Sequence, residues 1–124
     1  MPSNLFNISY LIRSFKYALR GLHYAWRSEQ NFRIQILAGI VVLAAAFYFR
    51  LSFMGLVALV MMIIIVLVLE LLNTFFEKLV DLLSPRLHHA VGILKDVLAA
   101  AVLVASLGAI IVGILIFWPY LRWQ

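Results

Sequence analysis

Apolar residues recur at Leu5, Ile8, Leu11, Ile12, Phe15, Leu19, Leu22 and Trp26, at spacings of mostly three and four. That is the helical period, and it predicts an amphipathic helix over about residues 3–30. Arg13, Lys16, Arg20 and Arg27 lie between these positions. A basic helix of this kind suits the headgroup layer of a bilayer, with Tyr24 and Trp26 at the interface. Beyond residue 30 the two-faced pattern gives way to continuous apolar runs. The first, Ile36 to Phe49, reaches span length only if Phe32 to Gln35 join the same helix. That predicts a span over 32–49, with Arg33 and Gln35 at one membrane face, where Arg33 can snorkel. Arg50-Leu51-Ser52 is short enough for a tight helical hairpin. Phe53 to Leu69 carries no charge and predicts a second span over 53–70, with the helical pattern extending to Leu83. Ser84-Pro85 should stop it, because a residue before proline is biased out of the helical region. The third run starts near Val91, carries Lys95 and Asp96 in its first turns, and spans 97–118, where Pro119 is expected to end it.

Composition narrows the class. Of 124 residues, 66% are hydrophobic and 12% charged. A soluble domain carries about 25% charged residues, so this chain cannot cover a water-facing surface. Disorder is excluded by the high hydrophobicity. Nucleic acid is an unlikely partner for so little polar surface, despite the net charge of +5. Three spans of about 20 residues leave too little chain for a separate soluble unit. The expectation is an all-α membrane protein of one domain, 1–124: a surface helix followed by three transmembrane helices. With no cysteine, disulfides and thiolate metal sites are ruled out. The basic residues from Arg13 to Arg27 do not precede a compact apolar core, so the first 30 residues are expected to stay rather than leave as a signal peptide. Arg13, Lys16, Arg20, Arg27, Arg33, Lys78, Arg86 and Lys95 fall on one side of a three-span chain, leaving Arg50 and Arg122 on the other. The positive-inside rule then puts the N-terminus in the cytoplasm.

All five acidic residues, Glu29, Glu70, Glu77, Asp81 and Asp96, belong to the expected cytoplasmic half. With Glu70 as origin, a helix places Asn73 near about 300°, Glu77 near about 340° and Asp81 near about 20°. These four polar groups share one face. A solvated helix end explains Asp81 equally well. It explains Glu70 less well, because that carboxylate abuts a long apolar run and is followed by Leu71-Leu72. Partial desolvation there makes Glu70 a candidate general base. Glu29, just before the first span, can approach the level of Glu77. Two carboxylates with open coordination positions suit Mg²⁺ shared with phosphates. Lys95 on the third helix could then bind phosphate as a point charge, the lesser alternative for Lys95-Asp96 being an interfacial anchor. Adjacent His88 and His89 are no metal signature. No Walker A loop, Gly-x-Ser-x-Gly elbow or His-Glu-x-x-His motif occurs.

The run from Glu70 through Asn73-Thr74 and Glu77 to Val80-Asp81 resembles a signature of the small bacterial integral-membrane lipid kinases, a family that includes diacylglycerol kinase and undecaprenol kinase. His88, then Lys95-Asp96, then Ala99 to Leu103 forms a second match. Arg20-Gly21-Leu22, Ala25-Trp26, Glu29 and Phe32-Arg33 form a third. The resemblance covers about residues 10 to 118. It implies a homotrimer whose active sites are shared between subunits near the cytoplasmic interface, and ATP-dependent phosphorylation of a lipid primary hydroxyl. By position, Glu70 matches the general base, which also meets the lipid. Asn73 matches a supporting residue. Glu29 and Glu77 match the Mg²⁺ ligands beside ATP, and Lys95 the phosphate-binding lysine. Tyr17, His88 and Asp96 match positions near the nucleotide. Trp26, Phe32 and Ala99 are expected to line the lipid's path.

Phe75-Phe76 departs from the small residues that many relatives carry there, and either packing or the lipid pocket should change. Phe15 to Ala18 and Asn31 to Ile34 look more like the undecaprenol-kinase-like branch than the diacylglycerol kinase of enteric bacteria. Both lipids present a primary alcohol at the same depth, so the residues leave the substrate open. The alternative is a non-catalytic membrane assembly subunit, since Ala99, Ala100, Ala101, Ser106 and Gly108 suit close helix packing in any bundle.

Overall fold

The computed structural model describes residues 5–83 and 88–122, with the backbone alone at His88. Its elements are α1 (Ile8–Ser28), α2 (Gln30–Tyr48), α3 (Phe53–Leu83) and α4 (His88–Arg122), with no strand among the described residues. The last three are long and apolar enough to cross a membrane. The chain is an all-α membrane protein. α3 is the middle helix, packed against both α2 and α4, and α1 packs against α2.

α1 begins where Asn7 caps it, its side-chain oxygen accepting from the Tyr10 N–H at 3.3 Å. The cap places the start at residue 8, later than the apolar periodicity alone suggested, since periodicity carries no stop signal. α1 and α2 are separated by one residue. Glu29 is extended (φ −115°, ψ 110°) and serves as C-cap of one helix and N-cap of the next. Its N–H donates to the Ala25 carbonyl at 2.9 Å, while its own carbonyl accepts from the Arg33 N–H at 3.3 Å. The Arg33 guanidinium reaches back to the carbonyls of Trp26 and Arg27, both at 3.3 Å. It thereby satisfies acceptors that the end of α1 leaves unpaired. Arg33 is a fastener of the corner rather than only a snorkelling cation. Phe32 to Gln35 do belong to the first span.

The α2–α3 hairpin closes through Arg50 in the left-handed region, φ 53°. The Leu51 N–H donates to the Ala46 carbonyl at 3.0 Å and the Arg50 N–H to the Phe47 carbonyl at 3.3 Å. This is a Schellman cap, in which glycine is the usual left-handed residue. Ser52 then caps α3, accepting from the Gly55 N–H at 3.2 Å. A side chain in the left-handed region costs roughly 1–2 kcal/mol. Arg50→Gly is therefore expected to raise stability by about 1 kcal/mol, read as a higher denaturation midpoint in detergent.

Pro119 does not end the third span. α4 runs through it to Arg122. Proline lacks an N–H, but so near the terminus it removes one hydrogen bond rather than breaking a ladder. The flanking aromatics also hold the turn, with Phe117 and Tyr120 ring centroids 6.1 and 6.3 Å from that of Phe49. The Ser84-Pro85 stop and Arg86 lie outside the described residues. α3 ends at Leu83, ahead of them.

Among the described residues α3 supplies most of the buried ones, Leu59, Val66, Glu70, Thr74 and Val80, and α4 supplies none. Gly39 lets α2 approach α3: an added Cβ would lie 3.3 Å from Ile63 Cγ2.

Candidate functional site

The site is built around one enclosed carboxylate. Glu70 is 2% exposed, and among the described residues it and Thr74 are the buried polar side chains. Leu69, Leu71 and Leu72 keep the apolar pattern running through this turn of α3, so the helix continues and carries Glu70 into the packed layer. A buried charge needs a hydrogen-bonding partner. Glu70 has one from α2, where Gln35 Nε2 donates to Glu70 Oε2 at 3.4 Å. One turn on, the Thr74 hydroxyl donates to the Glu70 backbone carbonyl at 3.1 Å, which turns that hydroxyl away from the carboxylate.

Polar groups become more solvated along α3. Glu70 is buried, Asn73 and Glu77 are half-buried and Asp81 is exposed. Glu77 stands about 10 Å and Asp81 about 16 Å along the axis from Glu70, at 1.5 Å per residue. Glu29, half-buried at the α1–α2 corner, makes no side-chain cap bond although it is the N-cap. Its carboxylate is thus left to other partners. Glu29 and Glu77 both lie near enough for their charges to act on Glu70. Among the described residues no group of three or more His, Asp or Glu side chains forms a metal site.

Lys95 lies on α4 and its Nζ is 3.7 Å from Asp81 Oδ1. That tie joins α3 to α4 at the solvated end of the polar face, beyond Glu77. Asp96 beside it is exposed. Tyr17 is exposed on α1, with the Arg20 guanidinium 5.6 Å from its ring centroid. Tyr24 on the same helix faces Lys78 of α3, whose Nζ lies 5.8 Å from the ring centroid. His88 opens α4, and its side chain lies outside the described residues. Of the residues expected along the lipid path, Trp26 and Ala99 are exposed, whereas Phe32 is 2% exposed. Phe32 follows the Glu29 corner by three residues and is enclosed there, so in this conformation its ring offers no surface to a lipid.

The structure therefore sets Glu70 and Glu77 along one face of α3 and Glu29 at the α1–α2 corner, with Lys95 farther toward solvent and Tyr17 on the surface helix. Gln35 is the site residue that the sequence did not point to: from its place near Arg33 at the start of the span, its amide turns inward to Glu70. A lone amide between Ile34 and Ile36 in an apolar span was the available signal. Phe75 lines a cavity of about 560 Å³ between α1 and α3, with Gly21, Tyr24 and Lys78. A larger apolar furrow of about 800 Å³ runs between α2, α3 and α4, from Gln35 past Gly39, Ile63 and Ala109 to Phe117.

Comparison with known proteins decides the kinship. The family described as prokaryotic diacylglycerol kinase matches residues 16–117. The chain belongs to that family. As a member of the prokaryotic diacylglycerol kinase family it is similar to a diacylglycerol kinase of Synechocystis sp., 40% identical over 104 residues. That match covers 83% of this chain and 59% of the Synechocystis protein. A diacylglycerol kinase of Escherichia coli K12 is 28% identical over 97% of this chain and 98% of its own. An undecaprenol kinase of Bacillus subtilis is 37% identical over 88% of this chain and 89% of its own. The family is thus one of lipid kinases, and its match includes every candidate position from Tyr17 to Ala99.

Proposed function

We propose that this chain transfers the γ-phosphoryl group of ATP to the primary hydroxyl of a membrane lipid, diacylglycerol or undecaprenol, at the cytoplasmic face. The observation that carries the reading is the enclosed Glu70, held by one amide and bordered by Glu29 and Glu77. A lipid hydroxyl stays at the depth where span meets headgroup, and a carboxylate abutting the apolar run of α3 meets it there. Glu70 accepts the hydroxyl proton. The lipid oxygen attacks the γ-phosphorus in line, its bond to the β–γ bridging oxygen breaks, and ADP leaves.

Glu29 and Glu77 would hold Mg²⁺. Both offer hard oxygen ligands, and a two-carboxylate corner leaves positions for nucleotide phosphates, which is how this ion is usually bound. Bound there, the ion would neutralise charge on the transferring phosphoryl group. Lys95 would exchange the exposed Asp81 for a nucleotide phosphate, with Asp96, His88 and Tyr17 near the rest of ATP. Asn73 supports the Glu70 turn. The furrow that starts at Gln35 suits the lipid's apolar chain, with Trp26 and Ala99 at its approaches.

The outer face of α4, which packs on α3 yet buries no described residue, supports assembly as a homotrimer. The helix's small residues include Gly108, where an added Cβ would meet nothing within 4 Å, so another subunit's helix can come close. The cytoplasmic membrane and a cytoplasmic N-terminus follow from the eight basic residues gathered on the side of the site.

The test is a lipid panel. Purified protein with MgATP should label diacylglycerol or undecaprenol with radioactive phosphate in the same detergent. Failure with both sinks the reading in favour of an assembly subunit. Relative rates on the two assign the substrate, which their shared alcohol chemistry leaves open.

A further inference from the structure

Among the described residues, Gln35 is the one side chain that hydrogen-bonds the Glu70 carboxylate from another helix. Its Nε2 donates to Glu70 Oε2 at 3.4 Å, and its own Oε1 is buried with no partner. An unsatisfied buried amide oxygen costs free energy, and a polar group inside a span is costly again. An apolar side chain at position 35 would remove both costs but leave the buried Glu70 carboxylate without its partner, so it is Glu70, not the packing of residue 35 itself, that the glutamine serves. The orientation is set by chemistry: an ionised carboxylate only accepts, so the amide must turn its N–H₂ toward Glu70.

We infer that Gln35 is a positioning residue, which engages Glu70 Oε2 and leaves Glu70 Oε1 as the oxygen that takes the lipid proton. The inference rests on the lipid-kinase reading above. A neutral amide suits this task better than a cation. The N–H donates to a carboxylate oxygen and, more weakly, to the carbonyl oxygen of a carboxylic acid. When the lipid hydroxyl gives its proton to Oε1, and its oxygen bonds to the γ-phosphorus as ADP departs, Oε2 becomes that carbonyl oxygen. The Gln35 contact survives the transfer without rotating the amide. A Lys or Arg there would hold the charged form and oppose proton uptake. The contact is long for N–H···O, as catalytic hydrogen bonds are before substrate draws the site together.

Gln35→Met keeps the length and flexibility of the side chain and removes the donor. It should lower kcat by about 10-fold or more while KM for MgATP changes by less than about twofold. The thermal midpoint should fall, because the buried Glu70 carboxylate loses its donor, so kcat is compared at a temperature where both proteins are folded. In a Glu70→Gln background the same change should cost less than about twofold, because residues acting through one group are not additive. Unchanged kcat in Gln35→Met, or an equal loss in both backgrounds, overturns the positioning role. Absence of lipid phosphorylation by the unsubstituted protein overturns the kinase reading instead, and the inference with it.

Discussion

Glu70→Gln should lower kcat by about 10²–10⁴-fold, the range a positioned general base contributes. KM for MgATP should stay within about twofold, because the interaction lost exists only while the proton moves. The substitution is suited to the question. Glutamine matches the shape of Glu70 and still offers Gln35 an acceptor oxygen, so the α2–α3 contact persists. It also removes a charge that is 2% exposed and touched by a single amide, so the fold should be unharmed or firmer. Loss of activity with an unchanged or raised thermal midpoint therefore reads as chemistry. A rate within twofold of the unsubstituted protein would remove Glu70 from the proton path. A selective rise in KM for MgATP would reassign it to the nucleotide.

How much of this was legible in the sequence depends on the kind of signal. Helices and spans were readable because a bilayer admits few solutions: backbone groups must be paired internally, so apolar runs of this length must be helical. Termini were less readable. The Asn7 cap, the one-residue corner at Glu29 and the Schellman turn at Arg50 depend on local hydrogen bonds, not on periodicity. Pro119 misled because a rule for helix interiors was applied to a last turn. The polar face of α3 followed from 100° geometry alone. The partner of Glu70 did not, since Gln35 and Glu70 are 35 residues apart and nothing local links them. Nor did the enclosure of Phe32 or the Lys95–Asp81 tie, which depend on how whole helices pack.

Glu77→Gln is the second large expected effect, and it differs in kind. Glu77 is half-buried, two turns from Glu70 and on the solvated part of the same face. If it ligates Mg²⁺ beside the phosphates, replacing it leaves a neutral amide oxygen where a charged ligand is required. Loss of even an outer partner of a metal ligand costs about 10–100-fold in affinity or activity, so loss of a ligand should cost at least that. The half-saturating Mg²⁺ concentration should rise by about 10-fold or more, and excess Mg²⁺ should recover part of the rate. Glu29→Gln should behave alike, since Glu29 faces the same corner and its carboxylate makes no cap bond. Glu70→Gln should show no such recovery, because its missing function is proton acceptance. A Mg²⁺ titration on the three variants therefore separates ligand from base. If Glu77→Gln falls in rate with an unmoved Mg²⁺ midpoint, Glu77 acts on the substrate or on packing, and the two-carboxylate metal site is wrong.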